Sequence, residues 1–394
     1  MKANPGGQID LKEIVGRDEI IEQIWDTLEQ QSIRMNAERR IGKTTIIKKL
    51  SEEPRDGWVP IFQDLEQYHT ASEFAIAVFR AVEKYLAIGK KTARRAKKLL
   101  ETLGGMKVAG VFELPSISTG LPWKDVLCSS IQDLIAERSK QSERPVFLWD
   151  EVPYMLESIK NREGETVAME LLDTLRSLRQ THGNNGFRMV FTGSIGLHHV
   201  IHSLKRKNYA NSPVNDMLVT PVLPLKPAPA KELAIKLIQG ECIPTSSLQA
   251  TACAVANVSD GFPFYIHHII KAMKTAGLEG TSENVQQIVS QQLRDPNDPW
   301  ELNHYRDRIS TYYGSEFESA VVAILDGVGV SSDAVSINDL LSELKGSGVL
   351  EDRNQLIELL RLIEQDHYLA RNDNGHYYFQ FPLLQRWWKL SRGL

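Results

Sequence analysis

Residues 37–45 read Ala-Glu-Arg-Arg-Ile-Gly-Lys-Thr-Thr, the GxxxxGK[ST] spacing with alanine in place of the first glycine. In such a loop, main-chain N–H groups and the start of the following helix cradle phosphate oxygens. Ala37, Arg40, Ile41, Gly42 and Thr45 would line the cradle, Lys43 would reach the β- and γ-phosphates, and the Thr44 hydroxyl would ligate Mg²⁺. The Cβ of Ala37 restricts left-handed backbone angles that glycine accepts freely, so the loop's geometry is the point to inspect. About a hundred residues later the apolar run Val146-Phe147-Leu148-Trp149 ends in Asp150 and Glu151. An Asp-Glu pair after a strand is usually a solvated turn. Downstream of a phosphate loop it reads as a carboxylate for the Mg²⁺ shell, Asp150, beside a base that polarises an attacking water, Glu151. A third strand, 187–192, delivers Thr192 and, after Gly193, Ser194 beside the strand carrying Asp150. Either hydroxyl could contact the γ-phosphate or order the water, since successive strand side chains alternate faces. Together these residues predict binding of ATP or GTP with Mg²⁺.

The elements that must position them follow from periodicity. Residues 20–30 repeat apolar side chains at helical spacing, with Asp18 and Glu19 at the end the macrodipole favours. A short strand over 33–38 turns into a helix through the phosphate loop, and 58–65 is a β-rich run before a helix over 71–86. Strands resume at 146–149, 188–192 and 217–225, and the last ends in Leu-Pro-Leu-Lys-Pro-Ala-Pro. Strands alternating with helices predict an α/β fold with a doubly wound parallel sheet. Between the second and third strands, Lys90, Lys91, Arg94, Arg95, Lys97 and Lys98 crowd onto one predicted helix, followed by a hairpin-like insertion. From 230 to 292 the pattern is helical, broken by the turn Asp260-Gly261-Phe262-Pro263, and 295–300 (DPNDPW) is a linker. Three further helices over 315–326, 337–345 and 355–365 precede two short strands around Asn-Asp-Asn-Gly, the outline of a winged helix. The division expected is a core over 1–226, a helical lid over 227–300 and a winged-helix domain over 301–394.

These motifs resemble a family: archaeal-type and related bacterial P-loop ATPases, akin to STAND and to origin-recognition-like AAA+ ATPases. The resemblance runs through Ile14-Val15-Gly16-Arg17-Asp18-Glu19, the phosphate loop, Trp149-Asp150-Glu151, Phe191-Thr192-Gly193-Ser194, Gly261-Phe262-Pro263 and the final Phe381-Pro382-Leu383-Leu384-Gln385-Arg386-Trp387-Trp388. It implies an ASCE-type sheet, an adenine-side role for Gly16 and Arg17, Pro263 near the base, and a lid that closes on nucleotide. No arginine finger or lid sensor arginine is matched, which implies hydrolysis that is slow or stimulated by a partner.

Composition narrows the partners. Forty-six basic against fifty acidic residues give a net charge of −4, without the basic excess that bulk nucleic-acid or anionic-membrane binding leaves. Any DNA contact must rest on a local patch: the run from Lys90 to Lys98, or the tail with Arg371, Arg386, Lys389 and Arg392. The helix that would read a major groove carries Glu351, Asp352, Glu358, Glu364 and Asp366 against Arg353 and Arg361, so a protein partner or self-association is favoured over nucleic acid. Arg39 and Arg40 are expected to face solvent or, less commonly, a partner. His198, His199, His267 and His268 lack acidic or cysteine companions at metal-ligand spacing. Cys128, Cys242 and Cys253 have no zinc or redox spacing and point to a reducing cytoplasm. Neither a signal peptide nor a membrane span is read from the sequence. The expected activity is an ATP-hydrolysing switch that controls a partner. The rivals are a DNA-associated ATPase of initiator or transposition type and a nucleotide-binding scaffold with negligible hydrolysis.

Overall fold

The structure is a computed structural model that describes residues 1–86, 122–193 and 196–394, with the backbone alone of 106–108 and 111–113. The basic run from Lys90 to Lys98, and Ser194, lie outside the described residues. The chain forms two compact units: Asp18–Asn36 with Lys43–Val222, and Met1–Arg17 with Ala37–Gly42 and Leu223–Leu394.

The first unit is built on a sheet. Its strands in chain order are β1 (Ile33–Asn36), β2 (Trp58–Asp64), β3 (Met106–Val108), β4 (Val111–Glu113), β5 (Arg144–Asp150), β6 (Arg188–Phe191) and β7 (Leu218–Pro221). Five form one sheet in the order β2-β5-β6-β1-β7, all neighbours parallel, while β3 and β4 make the expected antiparallel hairpin. Parallel neighbours need crossovers, and helices supply them. These are α1 (Asp18–Leu28), α2 (Lys43–Glu52), α3 (Ala71–Leu86), α4 (Trp123–Ser139), α5 (Val152–Glu163), α6 (Glu165–His182) and α7 (Leu197–Lys205). Helices on both faces explain why β5 and β6 read as unbroken apolar runs: every residue from Pro145 to Asp150 and from Arg188 to Phe191 is buried. The core is aromatic around Trp149, whose ring stacks on Phe191 at 5.8 Å and meets Phe74 edge-on at 5.1 Å. Its indole N–H donates to Gln63 Oε1 at 2.9 Å, so this fully buried ring leaves no polar atom unsatisfied. Strand directions put the ends of β1, β5 and β6 on one edge, where Asn36, Asp150 and Phe191 hand over to the loops that carry the candidate chemistry.

The second unit holds α8 (Pro227–Glu241), α9 (Leu248–Val258), α10 (Pro263–Ala276), α11 (Ser282–Gln292), α12 (Asn303–Tyr312), α13 (Ser315–Val330), α14 (Ile337–Gly346), α15 (Arg353–Gln365), β8 (Leu369–Arg371), β9 (Tyr377–Phe379) and α16 (Pro382–Arg392). Side-chain caps from Ser247, Thr281, Ser336 and Asp352 accept main-chain N–H groups at the starts of α9, α11, α14 and α15. The β8–β9 turn is held by Asn372, whose Oδ1 accepts from Asn374 and His376 N–H, with Gly375 at φ +80°. Two helices of this unit escaped the sequence reading, as did α4, α5, α6 and α7 of the sheet unit. In α12 only Tyr305 and Ile309 are buried, too few to write a helical period, and α16 was read as a motif rather than as an element. Both are secured by an aromatic core of Tyr265, Trp300, Tyr305, Tyr368, Trp387 and Trp388.

Candidate functional site

In the sheet unit, α2 begins at Lys43 immediately after the phosphate loop, with no acidic residue in its first turn to compete for an anion. The Thr44 hydroxyl donates to Asp150 Oδ2 at 2.7 Å across 106 residues of sequence. Thr44 is exposed, whereas Asp150 is 3% exposed and Lys43 7%. Burial pushes the Asp150 carboxyl up, the Thr44 hydrogen bond and Lys43 draw it down, and Asp64, its register partner on β2, adds repulsion. Glu151, the next residue, sits at φ +58° as the N-terminal cap of α5, a left-handed position that side chains rarely hold without compensation. That turn aims its carboxylate toward the end of β6: a Cβ on Gly193 would lie 3.4 Å from Glu151 Oε2 and 2.5 Å from Pro153, so only glycine fits there. The β6 end is tied to β5 by Thr192 N–H to the Trp149 carbonyl, at 3.0 Å. Thr192 is 2% exposed, and its Oγ1 has no hydrogen-bond partner among the described residues. The sheet thus brings Thr44, Asp150 and Glu151 together with Thr192 at adjacent strand ends.

In the other unit, the loop Ala37–Gly42 is held by side chains. Ala37 is not at positive φ; the left-handed positions are Arg40 at +66° and Gly42 at +98°. The alanine therefore meets no backbone conflict, and the demanding position falls on an arginine. Arg40 donates through Nε (3.1 Å) and NH2 to the two oxygens of Glu301, and Arg39 NH2 donates to the same carboxylate at 3.1 Å. The other side of the Arg40 guanidinium covers the Phe264 ring at 4.6 Å. These contacts correct the expectation of simple surface placement for Arg40, whereas Arg39 keeps a side chain 42% exposed while paired. Glu38 is 3% exposed and accepts from Arg308 NH1 at 2.8 Å. Burial pushes the Glu38 carboxyl up, but Arg308, His304 and His367 outweigh it and hold it at about 2. Arg308 also reaches Asp366 Oδ1 at 3.3 Å, and Asp366 accepts from the Tyr313 hydroxyl at 2.6 Å.

Arg17 is buried and donates to the carbonyls of Ile41 and Leu223, each at 2.7 Å, so it grips the loop's main chain; burial lowers its guanidinium to about 10. Gly16, at φ +66°, lets Pro229 approach to where a Cβ would be 2.4 Å away. Pro263 occupies the first turn of α10, one residue before the ring under Arg40. Gly261, at φ +72°, is pressed against the Leu225 carbonyl. Sequence reading missed Glu38, Phe264, Glu301 and Arg308. The available signal was an acidic residue inside a phosphate loop, where it needs a cation.

No protein-family model and no curated protein matches the chain. Solved structures do. The Walker-type ATPase of Pyrococcus abyssi superposes with a TM-score of 0.64 at 16% identity, over 96% of this chain and 97% of that one. The ORC2 protein of Aeropyrum pernix, in ADPNP–ADP complexes, superposes with a TM-score of 0.50 at 12% identity, over 99% and 96%. At these identities the likeness is one of fold: the chain has the α/β fold of P-loop ATPases, as expected from the strand–helix alternation.

Proposed function

We propose that this chain is a Mg²⁺-dependent ATPase of the origin-recognition-like P-loop class, acting as a switch on a partner. The observation that carries the reading is the 2.7 Å hydrogen bond from Thr44, in the first turn of α2, to the buried Asp150 at the end of β5. That pair fits Mg²⁺: both donors are oxygen, as a hard cation requires, and a cation would relieve the cost of burying Asp150. Mg²⁺ bound there neutralises developing charge on the phosphates.

The protein's own groups do the rest. Main-chain N–H groups of 37–45 orient the phosphates and Lys43 supplies positive charge to the β/γ pair. Glu151 takes the proton of the attacking water, and Thr192, with its buried hydroxyl, or Ser194 orients the γ-phosphate or that water. Gly16, Arg17 and Pro263 serve the base side. Residues 1–226 form the nucleotide core, 227–300 a lid and 301–394 a winged helix, and the nucleotide state of the core repositions the other two. The acidic excess of α15 taken with its flanks, Glu351, Asp352 and Asp366, favours a protein partner over DNA. With no arginine finger matched, turnover is slow until a partner supplies one. The test is steady-state ATP turnover of Glu151→Gln beside calorimetry. Retained ATP affinity with at least a hundredfold loss of turnover is expected. A parent with no Mg²⁺-dependent turnover, alone or with candidate partners, would leave a nucleotide-binding scaffold.

A further inference from the structure

Three consecutive side chains of the phosphate loop are engaged by residues more than 260 positions downstream. Glu301 accepts from Nε and NH2 of Arg40 and from NH2 of Arg39, and Glu38 accepts from Arg308. The two halves of the Arg40 contact are both strained: Arg40 sits at φ +66° and Glu301 at φ +53°, neither of them glycine. Strained non-glycine backbone persists only where surroundings over-determine it. Here they do so from both sides, with the carboxylate fork in front of the Arg40 guanidinium and Phe264 behind it. Arg17 fixes the next carbonyl, Ile41.

We propose that Glu301 and Arg308 are positioning residues for nucleotide phosphate. They hold Glu38, Arg39 and Arg40 so that the loop's N–H groups point inward before any ligand arrives. The segment following the linker thereby sets affinity for nucleoside di- and triphosphates, and phosphate binding in turn strengthens the seating of α12 on the loop. This rests on the ATP-binding reading and adds to it the residues that shape the cradle. A rival arrangement, in which Glu301 masks two arginines that phosphate must win back, predicts the opposite sign. The brace is favoured because Arg308 pairs with the buried Glu38, and Arg40 Nε and NH2 are both spent on Glu301 while the ring of Phe264 backs them.

The test uses the full chain with Glu301→Gln, Arg40→Ala, their double variant and Arg308→Lys. The Glu301 and Arg40 side chains are 39% and 27% exposed, so the first two substitutions do not open the core. Calorimetry with ADP and ATP is set beside NMR titration with adenosine, which has no phosphate, and hydrogen exchange of the loop amides without ligand. Each single variant is expected to weaken ADP and ATP about tenfold, leave adenosine unchanged and speed exchange of 37–42 at least tenfold. The double variant should be no weaker than the worse single, because both changes break one contact. Unchanged loop exchange, equal or tighter ADP binding, or an equal loss of adenosine would each overturn the proposal. A parent that binds no ADP sinks the ATPase reading and this inference with it. A parent that binds ADP with variants indistinguishable from it sinks this inference alone.

Discussion

Replacing Arg308 with methionine removes a guanidinium shared by two buried carboxylates, Glu38 at 3% and Asp366 at 1% exposure. Uncompensated buried charge after loss of one partner costs about 3–5 kcal/mol. The Glu38 carboxyl, held at about 2 against the ordinary 4.5 with Arg308 the largest of the groups that lower it, points the same way. Arg308→Met should lose about 3–5 kcal/mol at pH 7. The pH dependence has a definite sign. A carboxyl held down in the fold contributes stability that is complete above about 4.5 and lost as pH falls toward about 2. In the variant the largest of the lowering influences is gone while His304, His367 and the Arg39 N–H remain, so that slope weakens. Urea denaturation of parent and variant at pH 7, 5 and 3 reads both effects, with the difference shrinking at pH 3. Adding Glu38→Gln to Arg308→Met should recover part of the loss, since the amide buries no charge. A penalty under about 1 kcal/mol at pH 7, or one that is the same at pH 3, would refute the reasoning.

Asp260, ahead of the Gly261-Phe262-Pro263 turn, accepts the Leu383 N–H at 2.7 Å, and burial raises its carboxyl to about 6 from 3.8. The fold therefore holds a proton that the unfolded chain releases, and this group subtracts up to about 3 kcal/mol as pH rises from about 4 to about 6. Asp260→Asn keeps the acceptor and tolerates the left-handed backbone at φ +50°, so the variant should lose that slope and melt higher than the parent at pH 7; a lower melting point would contradict it. The full chain should not bind duplex DNA at near-physiological salt, because α15 and its flanks are acidic; tight, salt-sensitive binding by fluorescence anisotropy would promote the initiator reading.

The parts of the candidate site that lie in one short stretch of chain could be picked out as candidates from sequence. The Gly42-Lys43-Thr44 step, the apolar run closed by Asp150 and Glu151, and the strand end at Thr192 each carry a local signature, and the parallel sheet orders them. Strand–helix alternation also foretold the parallel layer, because a strand buried on both faces, such as β5, reads as one continuous apolar run. What failed was long-range. The pairing of Arg39 and Arg40 with Glu301, and of Glu38 with Arg308, joins residues with no periodic relation, and an arginine in a loop reads as solvated until its partner is known. Ala37 looked like the loop's weak point only because sequence does not say which residue takes the left-handed angle. The structure puts it on Arg40, where ion pairing and Phe264 hold it. Helix α12 was missed because its buried face is two residues, yet it carries Arg308.

The central claim is that residues 37–45 with Asp150 bind ATP and Mg²⁺, and calorimetry of Lys43→Ala against the parent tests it most directly. Lys43 is the charge the β/γ-phosphates would meet at the start of α2. The account predicts Mg²⁺-dependent ATP binding by the parent and at least a hundredfold loss in a variant with unaltered circular dichroism. Equal ATP affinity for the two proteins would contradict it.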